Sequence, residues 1–152
     1  MLKVLFVCIH NSARSQMAEA YLKKLGGAEF EVQSAGFEPT GINPLVVEVM
    51  HEDGIDLSAK GTQSVFDLFK QGRVFTHVVT VCDDSQESKC PIYPGMTHRL
   101  HLPFPDPGQL TGSQEEQLHQ ARKIRDAIKD AIHEFIAWAR NNAQLGDAWT
   151  VR

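Results

Sequence analysis

Leu2-Lys3-Val4-Leu5-Phe6-Val7-Cys8-Ile9-His10-Asn11-Ser12-Ala13-Arg14-Ser15 runs from an apolar stretch through a short polar loop into a helical pattern. It predicts a strand, a tight loop and a helix, with a thiol at the strand's end and a guanidinium at the helix's start. A loop of this kind turns successive backbone N–H groups inward, and the helix that follows adds the positive end of its dipole. The segment Ile9 to Ser15 is therefore expected to cradle a tetrahedral anion. The same field should favour thiolate over thiol at Cys8, making it a nucleophile near neutral pH. Arg14 can grip two oxygens of a phosphate-like group with its planar fork, which a lysine cannot imitate. Asn11 is placed to fix the loop's conformation, and Ser15 either donates to the Cys8 sulfur or caps the helix.

Outward from this segment, Met17, Ala18, Tyr21, Leu22 and Leu25 recur at helical spacing and stop at Gly26-Gly27. Phe30 to Ser34 reads as a strand, closed by a turn at Ala35-Gly36. A loop from Pro39 to Pro44 leads to a helix over Leu45 to Met50, and a shorter helix is expected near Gln63 to Phe69. The β-branched run Thr76 to Val81 predicts a central strand buried on both faces. A polar stretch, Asp83 to Lys89, follows it. His98 to Leu102 reads as a fourth strand, and Asp106 lies in a Pro-rich turn. Ser113 and Glu116 form a capping pair for a long final helix with Leu118, Ala121, Ile124, Ile128, Ile132, Phe135, Ile136 and Ala139 on one face.

Strands alternating with helices predict an α/β fold, a three-layer sandwich with a four-stranded parallel sheet flanked by helices. Such sheets bind ligands beyond the carboxyl ends of their strands. Cys8, Cys82 and Asp106 each follow a predicted strand, so all three are expected at one rim. Residues 1–142 read as a single catalytic domain and 143–152 as a C-terminal tail.

At 152 residues with a formal net charge of −4 and no basic block, the composition argues against nucleic-acid or anionic membrane partners. The apolar start, interrupted by Lys3, is too short for a signal peptide or membrane span. An odd count of three cysteines suits a reducing cytoplasm, where redox-active thiols are usually catalytic. A zinc site from Cys82, Cys90, His98 and His101 has the wrong spacing, and no metal is expected. His51, His77, His119 and His133 are scattered and read as surface or packing residues. Nothing suggests a large apolar surface, so a monomer is expected.

The segment from Val7 to Glu19, with Ser34-Ala35-Gly36, Asn43-Pro44, Val81-Cys82-Asp83, Cys90-Pro91 and Asp106-Pro107, resembles the low-molecular-weight tyrosine phosphatase fold. Within that fold the chain is most similar to the thioredoxin-coupled arsenate reductases. Ser15-Gln16 stands where phosphatases of the fold commonly have Ser-Pro, and Gly108-Gln109 replaces the aromatic residues that follow their Asp-Pro. The resemblance implies that Cys8 attacks arsenate, that Arg14 and the loop hold its oxygens, and that Asp106 aids proton transfer. It further implies that Cys82 attacks Cys8, releasing arsenite, and that Cys90 attacks Cys82, leaving a disulfide for thioredoxin. Reduction of arsenate needs two electrons, which a pair of thiols closing to a disulfide supplies, with no cofactor. Glutathione or mycothiol could replace thioredoxin, and phosphate or sulfate could fill the anion site. Asn11, Glu19 and Ser34 match part of a family alkali-cation site, although Thr62-Gln63-Ser64 stands where related chains often carry an acidic residue. Two other functions stay open: a phosphatase for phosphotyrosine or small phosphomonoesters working through a phosphocysteine, and a non-catalytic oxyanion or redox sensor.

Overall fold

The computed structural model describes residues 2–81 and 98–142; Cys82, Cys90, the polar stretch 83–89 and the tail 143–152 lie outside the described residues. Strand β1 (Leu2–Cys8) leads into helix α1 (Arg14–Gly26), then β2 (Phe30–Gly36), α2 (Pro44–Glu52), α3 (Val65–Lys70), β3 (His77–Thr80), β4 (His98–His101) and α4 (Gln114–Asn142). The strands form one parallel sheet in the order β2-β1-β3-β4. From β1 the chain crosses first to one side and later to the other, so the loop after β1 leaves the sheet where strand order reverses. Ligand crevices form at such points.

The period-2 alternation of β1 divides the core into two layers. Val4, Phe6 and Cys8 face a large cluster that includes Met17, Tyr21 and Leu22 of α1, Val46 and Met50 of α2, and Ile128, Ile132 and Phe135 of α4. Leu5 and Val7 face the opposite layer, where Val65 and Leu68 of α3 pack with Phe75 and Val78. The alternation thus puts the Cys8 side chain on the α1 side.

The local signals for the long helix act as read: Ser113 Oγ accepts from Glu116 N and donates to Glu116 Oε1, both at 3.2 Å. One reading changes. Ala35-Gly36 is not a turn but the last two residues of β2, with Gly36 paired to Cys8 and bridged to Ser64. A Cβ on Gly36 would lie 2.7 Å from both Asn11 N and Ile9 O and 2.9 Å from His10 C. Glycine stands there because the loop backbone crosses directly over it, which is the other meaning of a glycine inside a strand. No helix among the described residues is long and apolar enough to cross a membrane.

Candidate active site

Four consecutive carbonyls of the loop after β1 are tied to neighbouring donors. Ile9 O accepts from Glu38 N at 2.8 Å, His10 O from Thr40 N at 3.0 Å and Ser12 O from Asn43 N at 2.9 Å. Asn11 O accepts from the side-chain amide of Gln16 at 3.1 Å. In a planar trans peptide the C=O of one residue and the N–H of the next point in opposite directions. Anchoring these carbonyls therefore aims the N–H groups of His10, Asn11, Ser12 and Ala13 the other way. For Asn11 the result is visible, since its N–H reaches the Cys8 sulfur at 3.1 Å. Asn11 has φ 52°, the only positive φ of a non-glycine residue among those described. Asparagine tolerates this left-handed conformation better than most side chains.

Cys8 is 2% exposed. Ser15 Oγ lies 2.9 Å from its sulfur. Ser15 is the second residue of α1, and the residue flanking the helix is Ala13, with no side-chain cap, so the hydroxyl serves the sulfur and not the helix end. Burial is the largest influence on the Cys8 thiol and pushes its pKa up. The Ser15 hydroxyl, the Ser15 N–H, the Arg14 charge and the Asn11 N–H pull it down without overcoming that burial. Desolvation disfavours the charged form of a sulfur this deeply enclosed, and the field of the loop works against that effect.

Arg14 is also buried, 3% exposed. It donates from Nη1 to Phe104 O at 3.2 Å, and Nη2 stands 3.7 Å from Asp106 Oδ2. Asp106 in turn accepts from Gly108 N at 2.8 Å, which fixes its carboxylate at the start of the short turn Pro107–Gln109. Cys8, Arg14 and Asp106 are therefore brought to one rim of the sheet. His10 is exposed, and its ring Nδ1 meets Glu38 O at 3.1 Å, so that nitrogen carries the hydrogen.

Behind the loop, Asn11 Nδ2 donates to Ser15 Oγ at 2.8 Å and Ser34 Oγ at 2.9 Å. Asn11 Oδ1 accepts from Gln16 Nε2 and from Gln63 N, each at 3.0 Å. Glu19, though 3% exposed, is neutralised by Lys60 Nζ at 3.0 Å, with Lys23 at 3.7 Å. Asn11, Glu19 and Ser34 do not fit an alkali cation here. The asparagine oxygen already serves two N–H donors, and an ammonium group occupies the carboxylate. Among the described residues no group of three or more His, Cys, Asp or Glu side chains is placed to hold a metal.

Several parts of the site escaped sequence reading. Spacing cannot show that Glu38, Thr40 and Asn43 supply the outer hydrogen bonds, that Phe104 O holds Arg14 from 90 residues away, or that Gln16 and Gln63 brace the loop. Gly36 did leave a signal, as an isolated glycine ending a strand pattern.

A buried thiol under a ring of inward N–H groups, an arginine fork and a nearby carboxylate define a nucleophilic oxyanion site. The low molecular weight phosphotyrosine protein phosphatase family matches residues 3–145, and the chain belongs to that family. An arsenate reductase of Bacillus subtilis is 38% identical over 133 residues, 87% of this chain and 93% of that protein. The solved structure of an arsenate reductase in the phosphate binding state superposes with a TM-score of 0.70 at 28% identity, covering 90% of this chain and 98% of that one. A thioredoxin-dependent arsenate reductase of Corynebacterium glutamicum gives 0.67 at 30% identity, over 93% of this chain and 63% of that one.

Proposed function

We propose that the protein is an arsenate reductase in which Cys8 is the nucleophile and Cys82 and Cys90 carry a thiol–disulfide relay to thioredoxin. The observation that carries the reading is the Cys8 sulfur held by Ser15 and the Asn11 N–H beneath a loop whose carbonyls from Ile9 to Ser12 are all engaged elsewhere. Inward N–H groups and Arg14 bind the oxygens of a tetrahedral oxyanion and stabilise charge that develops on them. Cys8 gives up its proton and displaces an arsenic-bound hydroxide, which leaves as water carrying that proton relayed through Asp106, and an S–As bond forms. The Cys82 thiolate attacks the Cys8 sulfur. As the S–S bond forms, the S–As bond breaks and its electron pair stays on arsenic, which leaves as arsenite two electrons richer. Cys90 then attacks Cys82, returning Cys8 as a thiol and leaving a Cys82–Cys90 disulfide. A dithiol such as thioredoxin reduces it, and the described relative from C. glutamicum supports that choice over glutathione or mycothiol.

The reading includes a monomer acting in reducing cytoplasm, where the three thiols stay available between turnovers. It also includes slow hydrolysis of phosphomonoesters, since phosphate shares the shape and charge of arsenate. The test mixes reduced protein with one equivalent of arsenate and maps disulfides by peptide mass. Recovery of Cys82–Cys90 together with arsenite is the expected result. Arsenite formed with three free thiols overturns the relay. Rapid ester turnover indifferent to C82S and C90S identifies a phosphatase, and disulfide formation without sustained turnover identifies a sensor.

A further inference from the structure

Gln16, the third residue of α1, is fully buried. Its amide nitrogen lies 3.1 Å from Asn11 O, 3.0 Å from Asn11 Oδ1 and 3.2 Å from Gly61 O. Asn11 O and Gly61 O are backbone carbonyls and only accept, so the group facing them is the NH₂. Gln16 Oε1 has no hydrogen-bond partner among the described residues. Turning the amide over would set oxygen against three oxygens, so the side chain leaves one buried acceptor orphaned while its two hydrogens are shared among these three.

Gln16 is one of two donors that fix the direction of the hydrogen bonds downstream. Asn11 Oδ1 also receives the Gln63 N–H, a group that can only donate, so the other end of the Asn11 amide is its NH₂. That NH₂ donates to Ser15 Oγ and Ser34 Oγ. With a lone pair of Ser15 already engaged, its single hydrogen is free to turn to the Cys8 sulfur at 2.9 Å. Gln16 thus acts through Asn11, holding with the Gln63 N–H the amide oxygen that fixes which end of Asn11 faces Ser15.

We propose that Gln16 is a positioning residue for the nucleophile: acting through Asn11, it directs the Ser15 hydroxyl hydrogen onto the Cys8 sulfur. The assignment rests on Cys8 being the nucleophile and not on the identity of the electrophile.

The test is carboxamidomethylation of Cys8 by iodoacetamide at a fixed pH of about 7, followed by peptide mass, where the thiolate is the attacking form. Q16M keeps the length and bulk of the side chain and removes both donors. S15A is expected to slow alkylation about ten-fold, as loss of a hydrogen bond to a charged acceptor implies. Q16M is expected to slow it several-fold, and the double variant Q16M/S15A to be no slower than S15A alone, because both act through one hydroxyl. Additive slowing, or a wild-type rate in Q16M, overturns the proposal. Should Q16M fail to fold, side-chain amide exchange in ¹⁵N-labelled wild-type protein decides: Gln16 and Asn11 NH₂ groups exchanging as slowly as core backbone amides support the chain, and rapid exchange refutes it. Arsenate turnover is measured alongside. Normal Q16M and S15A effects in a protein that reduces no arsenate would sink the reductase reading and leave this one standing.

Discussion

Replacing Gly36 by alanine adds one carbon where the anion loop crosses the end of β2. That carbon would sit 2.7 Å from Asn11 N and Ile9 O, whereas ordinary contact begins at 3.4 Å, so something must retreat by about 0.7 Å. The obstructing atoms are backbone, not the far end of a flexible side chain. Gly36 is itself held, paired with Cys8 and donating its N–H to Gln63 O at 2.9 Å, so the loop is the part that yields. Overpacking of this kind costs about 1–3 kcal/mol of stability. The functional loss should be larger, because the displaced peptides are those bonded to Glu38 and Thr40, the second of which also aims its N–H at the Cys8 sulfur. Misplacing a reacting constellation by about 1 Å can cost about 100-fold in rate.

G36A is accordingly expected to lower kcat/KM for arsenate by about 100-fold, against destabilisation of only about 1–3 kcal/mol. Urea titration followed by circular dichroism gives the stability change, and a coupled thioredoxin assay gives the rates. The two readouts separate the loop from the fold. A variant destabilised as expected but active within about three-fold of wild type would show that the loop's geometry does not matter to the reaction, and the reasoning would fail. A severe loss of both would mean that the strain spreads into the sheet.

R14K keeps the charge but gives up the two-oxygen fork and the bond to Phe104 O, and kcat/KM for arsenate should fall by about 100-fold or more in steady-state assays; a loss below about three-fold would contradict the assigned grip. D106N removes the proton carrier without changing size, so kcat should fall by about 100-fold while phosphate competes as well as or better than in wild type, a retained kcat being the adverse result. Asp53 accepts from Tyr21 at 2.7 Å and Lys129 at 3.2 Å, and these hold its carboxyl below the usual range. A carboxyl lowered on folding contributes stability above its unfolded pKa and loses it as pH falls through the folded value. Urea titrations across the acid range should therefore show D53N less stable than wild type at pH 7, with the gap closing as the pH drops through and below the ordinary carboxylate range; a constant gap would refute the linkage.

How much of this could be read from sequence depends on the range of each interaction. The strand-loop-helix unit is local: apolar residues in β1, a polar loop and the helical spacing of Met17, Tyr21 and Leu22 act within about twenty residues, and the unit forms as expected. The long final helix was equally visible because its cap and its apolar face are both periodic or adjacent. The wall around the loop was not, since its donors come from residues 38–43 and 63 and an arginine partner comes from Phe104. Gly36 is instructive because the residue type was informative and the interpretation was not: glycine signals either a turn or a close approach, and only the position of the crossing backbone decides between them. Gln16 illustrates the other limit. A polar residue at the start of a helix is ordinarily solvated, and only a helix whose first turn lies against a second loop buries it completely.

Burial of Cys8 is better understood as part of the binding design than as an obstacle to reactivity. A permanent thiolate would face an incoming dianion across roughly 4 Å, a repulsion on the order of 4 kcal/mol per charge pair at an effective dielectric of about 20. Desolvation at Cys8 opposes the charged form and so lessens that repulsion while the N–H groups and Arg14 capture the anion. The groups that would stabilise the thiolate, Ser15, the Asn11 N–H and Arg14, are already in place when the proton leaves. Their stabilisation then applies along the path to the S–As bond, where charge moves from sulfur toward the oxyanion, and interactions that strengthen along that path are the ones that lower the barrier. The same enclosure that raises the thiol pKa therefore keeps the fixed donors free of competition from water, which makes each of them worth more at the step where it is used.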